Sequence, residues 1–271
     1  MYEQVPNILK LAEKRNTSVI AFICMDYVMA RSVVYAAEAT NTPALVMLFP
    51  EHVTVQKTTG LRGYAEMVKE LAGEVKVPIG LHLDHDYSLE AVTRAMDAGF
   101  QSVMLDGSAH SLEENIRLTR QAVQVAHGRG AMVEGEIGHV GVAAEAAELF
   151  CRETGVDALA VSIGNAHGEY KQTPHLDFER LAQIKDVTTT PLVLHGGSGI
   201  PDDQLLKAFS LGIRKFNLGT DYLRNYFRAL KDVATEFDTA ADPVKVIQMP
   251  EYVQSKLQPY VENRLKTLCR F

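Results

Sequence analysis

Six segments of the sequence place a histidine, a carboxylate or an asparagine directly after a short apolar run. They are His82-Leu83-Asp84-His85, Asp106-Gly107-Ser108, Glu134-Gly135-Glu136, Gly164-Asn165-Ala166-His167, His195-Gly196-Gly197-Ser198-Gly199 and Asn217-Leu218-Gly219-Thr220-Asp221. Three imidazoles, His85, His167 and His195, with a fourth position left open, are a ligand set suited to a catalytic Zn²⁺ that polarises a carbonyl. Asp84, adjacent to His85, is placed either to exchange a proton with a substrate hydroxyl near such an ion or to orient a ligand histidine. Asp106 and Glu136 read as groups that orient the ligands, as alternative metal ligands or as loop caps. His82 is ambiguous: strand alternation points it away from Leu83, as a support for a ligand rather than a ligand itself. His52, His110, His127, His139 and His175 fall in helices or loops and read as structural.

The run Gly196-Gly197-Ser198-Gly199, followed by Ile-Pro-Asp-Asp and a helix, offers backbone N–H groups unobstructed by side chains, which suits a phosphate. Asn217 to Thr220, after the next apolar run, is a second candidate of the same kind. A phosphate site after the seventh and eighth strands is common in (β/α)₈ barrels.

Residues so far apart in sequence converge only if the elements carrying them end at one place. Eight short apolar runs are strand candidates: Thr17 to Cys24, Pro43 to Phe49, Pro78 to Leu83, Ser102 to Leu105, Met132 to Gly135, Ala158 to Ile163, Pro191 to Leu194 and Lys215 to Leu218. Runs such as VIAFIC and ALVMLF are apolar throughout, as parallel strands covered on both faces must be. Between them, SLEAVTRAMDAG, SLEENIRLTRQAVQVAHGRG and PDDQLLKAFSLG carry apolar residues at helical spacing, open on Ser or Pro and close on Gly. The expectation is an α/β fold, a (β/α)8 TIM barrel whose strand ends share one mouth, with extra helices after Asp221 and one domain over residues 1–271. A doubly wound sheet would carry a Gly-rich loop after its first strand, and none follows Cys24.

Composition narrows the function classes. Against 27 Lys+Arg stand 34 Asp+Glu, a net charge of -7 that disfavours nucleic acid or an anionic membrane as partner. The three cysteines, Cys24, Cys151 and Cys269, are widely spaced and form no CxxC, so neither a disulfide framework nor a thiolate zinc site is indicated. No uncharged apolar run approaches the ~18 residues that span a bilayer, and the first residues carry charges where a signal peptide is apolar. The expected location is the cytoplasm.

Taken in order, HLDH at His82 to His85, SVMLDGS at Ser102 to Ser108, VEGEIG at Val133 to Gly138, GNAHGEYK at Gly164 to Lys171, LHGGSGIPD at Leu194 to Asp202 and KFNLGTD at Lys215 to Asp221 resemble the signatures of the class II, zinc-dependent fructose-bisphosphate and tagatose-bisphosphate aldolases. The resemblance implies a TIM-barrel lyase of carbohydrate metabolism, glycolysis included, acting as a homodimer or homotetramer. Its reaction would be reversible cleavage of a ketose phosphate to dihydroxyacetone phosphate and an aldehyde. It implies His85, His167 and His195 as zinc ligands and Asp84 as the residue that takes the C4 hydroxyl proton. It implies Asp106 and Glu136 at a second or alternative metal site. Gly168, Gly196, Gly197, Ser198, Asn217, Leu218, Gly219 and Thr220 would form the dihydroxyacetone phosphate site. A second divalent or a monovalent cation is implied beside the zinc, with Lys171 as a support or a surface residue.

Four segments depart from the family pattern. After Gly138 the family's acid-rich loop, which carries the glutamate that handles the proton on the enediolate carbon, is missing, and Glu145 is the nearest acid. The first strand ends Ile23-Cys24-Met25-Asp26 and the second Met47-Leu48-Phe49-Pro50-Glu51, so this sector of the mouth is more apolar than in the family. Gln258 stands about where many members carry an arginine for the distal phosphate. The leading expectation is an aldolase with fructose or tagatose 1,6-bisphosphate as the default substrate. The alternatives are a ketose 1-phosphate without the distal phosphate, a non-catalytic sugar-phosphate-binding protein, and, last, a different metal-dependent barrel enzyme.

Overall fold

The computed structural model describes residues 1–52, 60–138, 143–166, 168, 170, 172–237 and 243–271. Helix α1 (Val5–Lys14) is followed by β1 (Val19–Ile23), α2 (Tyr27–Thr40), β2 (Ala44–Leu48), α3 (Leu61–Gly73), β3 (Ile79–Asp86), α4 (Leu89–Asp97), β4 (Ser102–Leu105) and α5 (Leu112–His127). The chain continues with β5 (Met132–Ile137), α6 (Ala144–Thr154), β6 (Ala158–Val161), α7 (Phe178–Val187), β7 (Leu192–Leu194), α8 (Asp202–Ser210), β8 (Ile213–Leu218), α9 (Thr220–Phe237) and α10 (Pro243–Leu268). The strands pair in sequence order, all parallel, and β1 pairs with β8 (Ala21 opposite Asn217) to close the barrel. This is the (β/α)₈ architecture expected from the sequence, extra C-terminal helices included.

Strand alternation divides the apolar residues between two cores. Outward-facing Phe22, Val46, Leu83, Val133, Leu194 and Phe216 pack under the helices. Inward-facing Val19, Ala21, Leu45, Met47, Met132, Ala160 and Val193 fill the barrel. The bottom is plugged by Val5, Ile8 and Leu9 of α1, and Gly80 leaves the room: a Cβ there would lie 2.6 Å from Leu45 and 2.9 Å from Val5. The helices begin where side chains satisfy their free N–H groups: Asp26 accepts from Met29, Ser88 from Ala91, Ser111 from Glu114 and Asp177 from Arg180. The last helix buries Val253, Leu257, Val261 and Leu265, spaced by four, and packs against α2.

Some strand limits differ from expectation. Strand β1 begins at Val19 rather than Thr17, β6 stops at Val161, and β8 begins at Ile213, two residues before its expected start. The largest difference is β3, which was expected to end at Leu83 and runs to Asp86 through a register shift between Leu83 and Asp86 in its pairing with β4. No described helix is long and apolar enough to cross a membrane.

Candidate active site

The β3 shift decides the geometry of the mouth. In a regular strand Asp84 and His85 would face opposite sides. Here His85 sits on the irregularity with a left-handed backbone, φ 26°, a conformation a histidine adopts only when its surroundings impose it. The bulge turns His85 back, so neighbouring residues point to the same place.

There His85 meets His195 from the end of β7. Asp106 accepts a hydrogen bond from His85 Nδ1 at 2.9 Å, and Glu134 accepts one from His195 Nε2 at 2.7 Å. A carboxylate has no proton to give, so both rings carry theirs on these outer nitrogens. The remaining nitrogens, His85 Nε2 and His195 Nδ1, face each other at 3.0 Å. Two imidazole lone pairs at that distance repel unless a proton or a cation lies between them. Glu136 Oε2 is buried without a hydrogen-bond partner and lies 3.8 Å from His85 Nδ1 and 3.9 Å from His195 Nδ1. Ligand atoms of Asp84, His85 and His195 lie within 4.8 Å of one another, as do those of His85, Asp106 and Glu136. Imidazoles oriented by carboxylates through their other nitrogen, beside an unsatisfied buried carboxylate oxygen, fit a divalent metal ion.

The electrostatics agree. Burial would raise the Asp84 carboxyl, but His85, His195 and Lys215 outweigh it and hold Asp84 below the usual range, ionised. Burial opposes a charge on His85, yet the hydrogen bond to Asp106 and the charges of Asp84 and Glu136 push it up to about 9, the response of an imidazole in a site built for positive charge. Glu136, by contrast, is raised, chiefly by burial.

His167 lies outside the described residues, as do Lys171 and His139. The segment around His167 is tied to the β7 end: Asn165 Nδ2 donates to the His195 carbonyl at 3.2 Å, and the Tyr170 hydroxyl donates to the Gly196 carbonyl at 2.8 Å. One cavity at the mouth is lined by Asp84, Gly168, Gly196, Gly197, Ser198, Asn217, Gly219 and Thr220 together with Ile23, Met47, Phe49, His52 and Leu223. Leu218 is the exception among the expected phosphate residues, because its side chain packs into the outer core. Gly197 has no alternative, since a Cβ there would fall 1.8 Å from the Phe216 ring. Ser198 Oγ accepts from the Asp221 N–H at 2.9 Å, joining the Gly-rich turn to the start of α9.

Several residues of the site escaped the sequence reading. His52, taken as structural, lines the cavity with its ring 5.3 Å from that of Phe49, and burial lowers its pKa. Arg224, four residues past Thr220 and so on the same face of α9, lines the adjoining cavity with Gly168, Ser198 and Gly199. Beneath the mouth His82, which the sequence reading held ambiguous between a structural residue and a support for a ligand, is joined by Glu134 and Lys215, all buried. The Lys215 ammonium contacts Glu134 Oε2 at 2.8 Å, and His82 Nδ1 pairs with the Ser102 hydroxyl at 2.7 Å. Burial raises the Glu134 carboxyl, but Lys215, His82 and His195 hold it well below the usual range. His82 is driven down to about 3, by burial first and Lys215 second, and stays neutral. The signal was a spacing of two: His82 precedes Asp84, Glu134 precedes Glu136 and Lys215 precedes Asn217, so these three rim residues each have a polar residue below them on the same face.

Two other expected residues lie away from the mouth. Gln258 bonds along α10, accepting from Gln254 and donating to Glu262 at 3.0 Å each. Glu145 is exposed on the first turn of α6, and the chain passes from Ile137 of β5 to Ala144 of α6 without room for a long loop. A groove along α5 and α6, lined by Ser111, Arg117, Arg120, Leu149 and Glu153, contains none of the candidate residues.

Comparison with known proteins gives the family. Residues 3–270 match the family model described as fructose-bisphosphate aldolase class-II. The chain is 38% identical over 232 residues to a fructose-bisphosphate aldolase of Geobacillus stearothermophilus, covering 80% of each protein. It is 35% identical over 273 residues to a 6-phospho-5-dehydro-2-deoxy-D-gluconate aldolase of Shouchella clausii, covering 96% of this chain and 92% of the relative. Among solved structures, the YdjI aldolase of Escherichia coli K12 superposes with a TM-score of 0.88 at 30% identity, over 99% of this chain and 98% of that one. With a barrel mouth that fits a metal, a Gly-rich turn beside it and a family match along almost its entire length, the chain belongs to the class II fructose-bisphosphate aldolase family.

Proposed function

We propose that this protein is a metal-dependent aldolase that reversibly cleaves a ketose 1-phosphate into dihydroxyacetone phosphate and an aldehyde that carries no phosphate of its own. The observation that carries the substrate reading is the one-sided polarity of the mouth. Gly196, Gly197, Ser198, Gly219, Thr220 and Arg224 offer hydrogen-bond donors and a cation on one flank. On the other flank stand Ile23, Met47, Phe49 and His52, and no Lys or Arg is among the described residues lining the cavities on Asp84. A distal phosphate needs such a partner, and Gln258 does not supply one.

His85 and His195 would hold the ion, with His167 as third ligand on the strength of its motif and Asp106 and Glu136 as supports or a second site. The family's zinc would supply Lewis-acid polarisation of the substrate carbonyl. Asp84, ionised and at the cavity wall, takes the hydroxyl proton whose departure accompanies breaking of the carbon–carbon bond. Asn217, which lines the same cavity, donates from its side-chain amide to substrate oxygens. The Ser198 hydroxyl and backbone N–H groups of the Gly-rich turn and of the α9 start hold the phosphate. The whole chain acts as one barrel domain, cytoplasmic and as a homo-oligomer, as in the family.

A second reading, fructose 1,6-bisphosphate cleavage, is favoured by the name of the Geobacillus relative. The test is exchange of the carbon-bound protons of dihydroxyacetone phosphate with heavy water, with and without a chelator, followed by condensation with matched phosphorylated and unphosphorylated aldehydes. Chelator-sensitive exchange with preference for the unphosphorylated aldehydes is expected. Preference for phosphorylated aldehydes would select the bisphosphate, and binding without exchange would leave a sugar-phosphate-binding protein.

A further inference from the structure

Below the metal cluster the barrel contains a lysine with no access to solvent, and its partners are placed too regularly to serve only as charge compensation. Lys215 Nζ donates to Glu134 Oε2 and to Asn217 Oδ1, each at 2.8 Å. Asn217 Nδ2 in turn donates to Asp84 Oδ1 at 3.0 Å. These two ionic contacts fix which way the amide points, outweighing the neutral approach of Nδ2 to His195 Nε2 at 3.1 Å, whose N–H is given to Glu134. The reverse flip would set its NH₂ group 2.8 Å from an ammonium and its oxygen 3.0 Å from a carboxylate, a repulsive pair in place of an attractive one at both ends. Glu134 meanwhile uses its other oxygen on His195. The buried pair therefore divides two tasks: Glu134 orients a metal-site histidine, and Lys215 orients the asparagine beside the proton-accepting carboxylate.

We infer that Lys215 is a positioning residue that acts through Asn217, locking its amide so that Asp84, at the cavity wall, faces an N–H donor rather than a carbonyl oxygen. The charge that develops on substrate oxygens during cleavage is stabilised by donors and opposed by acceptors, so the flip decides whether Asn217 helps or hinders. The catalytic consequence rests on the aldolase reading above, whereas the lock on the amide does not.

Two readouts separate these. In the metal-loaded protein, Lys215→Met is expected to lower the maximal rate of dihydroxyacetone phosphate proton exchange by about a hundredfold to a thousandfold, the order of one misdirected donor, with KM nearly unchanged. Combined with Asn217→Ala it should add no further loss, because the two act as a unit. The Co²⁺ dissociation constant, from competition with a chelator, should stay within about threefold for Lys215→Met but weaken about tenfold to a hundredfold for Glu134→Leu, which removes the acceptor of His195. Losses that multiply in the double variant, or a metal affinity that falls as far as the rate in Lys215→Met, would overturn the inference. Should Lys215→Met fail to fold around an unpaired Glu134, the cycle is run with Lys215→Met/Glu134→Gln against Glu134→Gln. Independently of any substrate, the Asn217 side-chain amide protons should exchange slowly with solvent in the parent and quickly in the Lys215 variant. Equal protection in both would sink the lock, whereas absent proton exchange in a metal-loaded parent with a protected amide would refute the aldolase reading alone.

Discussion

The two flanks of the mouth are built on different principles. Over β7 and β8 the chain presents backbone. Glycines at Gly196 and Gly199 take left-handed φ values of 61° and 86°, Gly197 gives its space to Phe216, and Ser198 is fastened to the start of α9. Over β1 and β2 it presents side chains, Ile23, Met47 and Phe49, while the polar Asp26 is used up capping α2 and accepting a hydrogen bond from Tyr226. Backbone donors held by steric necessity tolerate little change and suit the half of a substrate that every family member shares. Apolar side chains are exchangeable, and on the proposed aldolase reading it is there that the aldehyde half is selected. Between them the cluster of histidines and carboxylates belongs to neither flank.

Four experiments break or sharpen this contrast. Replacing His195 by Ala removes a group common to both halves of the reaction, so turnover should fall about 10³-fold or more with every aldehyde alike, measured as initial rates in metal-saturated buffer. A rate loss confined to some aldehydes would move His195 into specificity. On the phosphate flank, Ser198→Ala should raise KM for the ketose phosphate about tenfold, the worth of a hydrogen bond to a charged group, with aldehyde preference unchanged. On the opposite flank, Ile23→Thr should alter the ratio of kcat/KM between apolar and hydroxylated aldehydes by several-fold, up to about tenfold, while leaving the proton exchange of dihydroxyacetone phosphate intact. Equal effects on both readouts would abolish the division of labour. Gly197→Ala tests the rigidity of the backbone flank in a different currency: the ring of Phe216 must move, and thermal denaturation should register a loss of about 1–3 kcal/mol.

Much of the barrel was legible because each strand–helix unit is local. Apolar runs buried on both faces and helices opened by Ser88 and Ser111 need no knowledge of the rest of the chain. The rim was legible for the same reason, since polar residues that end apolar strands have few other places to go. His82, Glu134 and Lys215 were harder, because a polar residue inside a parallel strand is expensive unless paired, and its partners lie 20 to 81 positions away. Arg224 was missed because it belongs to the mouth only through the helical repeat that follows Thr220.

The sequence by itself determined the eight-strand barrel, the set of side chains delivered to its mouth and the family, because periodicity and motif order are properties of the chain alone. The tertiary structure decided which way those side chains face. The bulge in β3 turns His85 toward His195, Asp106 and Glu134 choose the nitrogen on which each ring carries its proton, and Lys215 chooses the flip of Asn217. Each of these is an orientation set by a partner from another strand, and no one-dimensional pattern contains it until the barrel has closed.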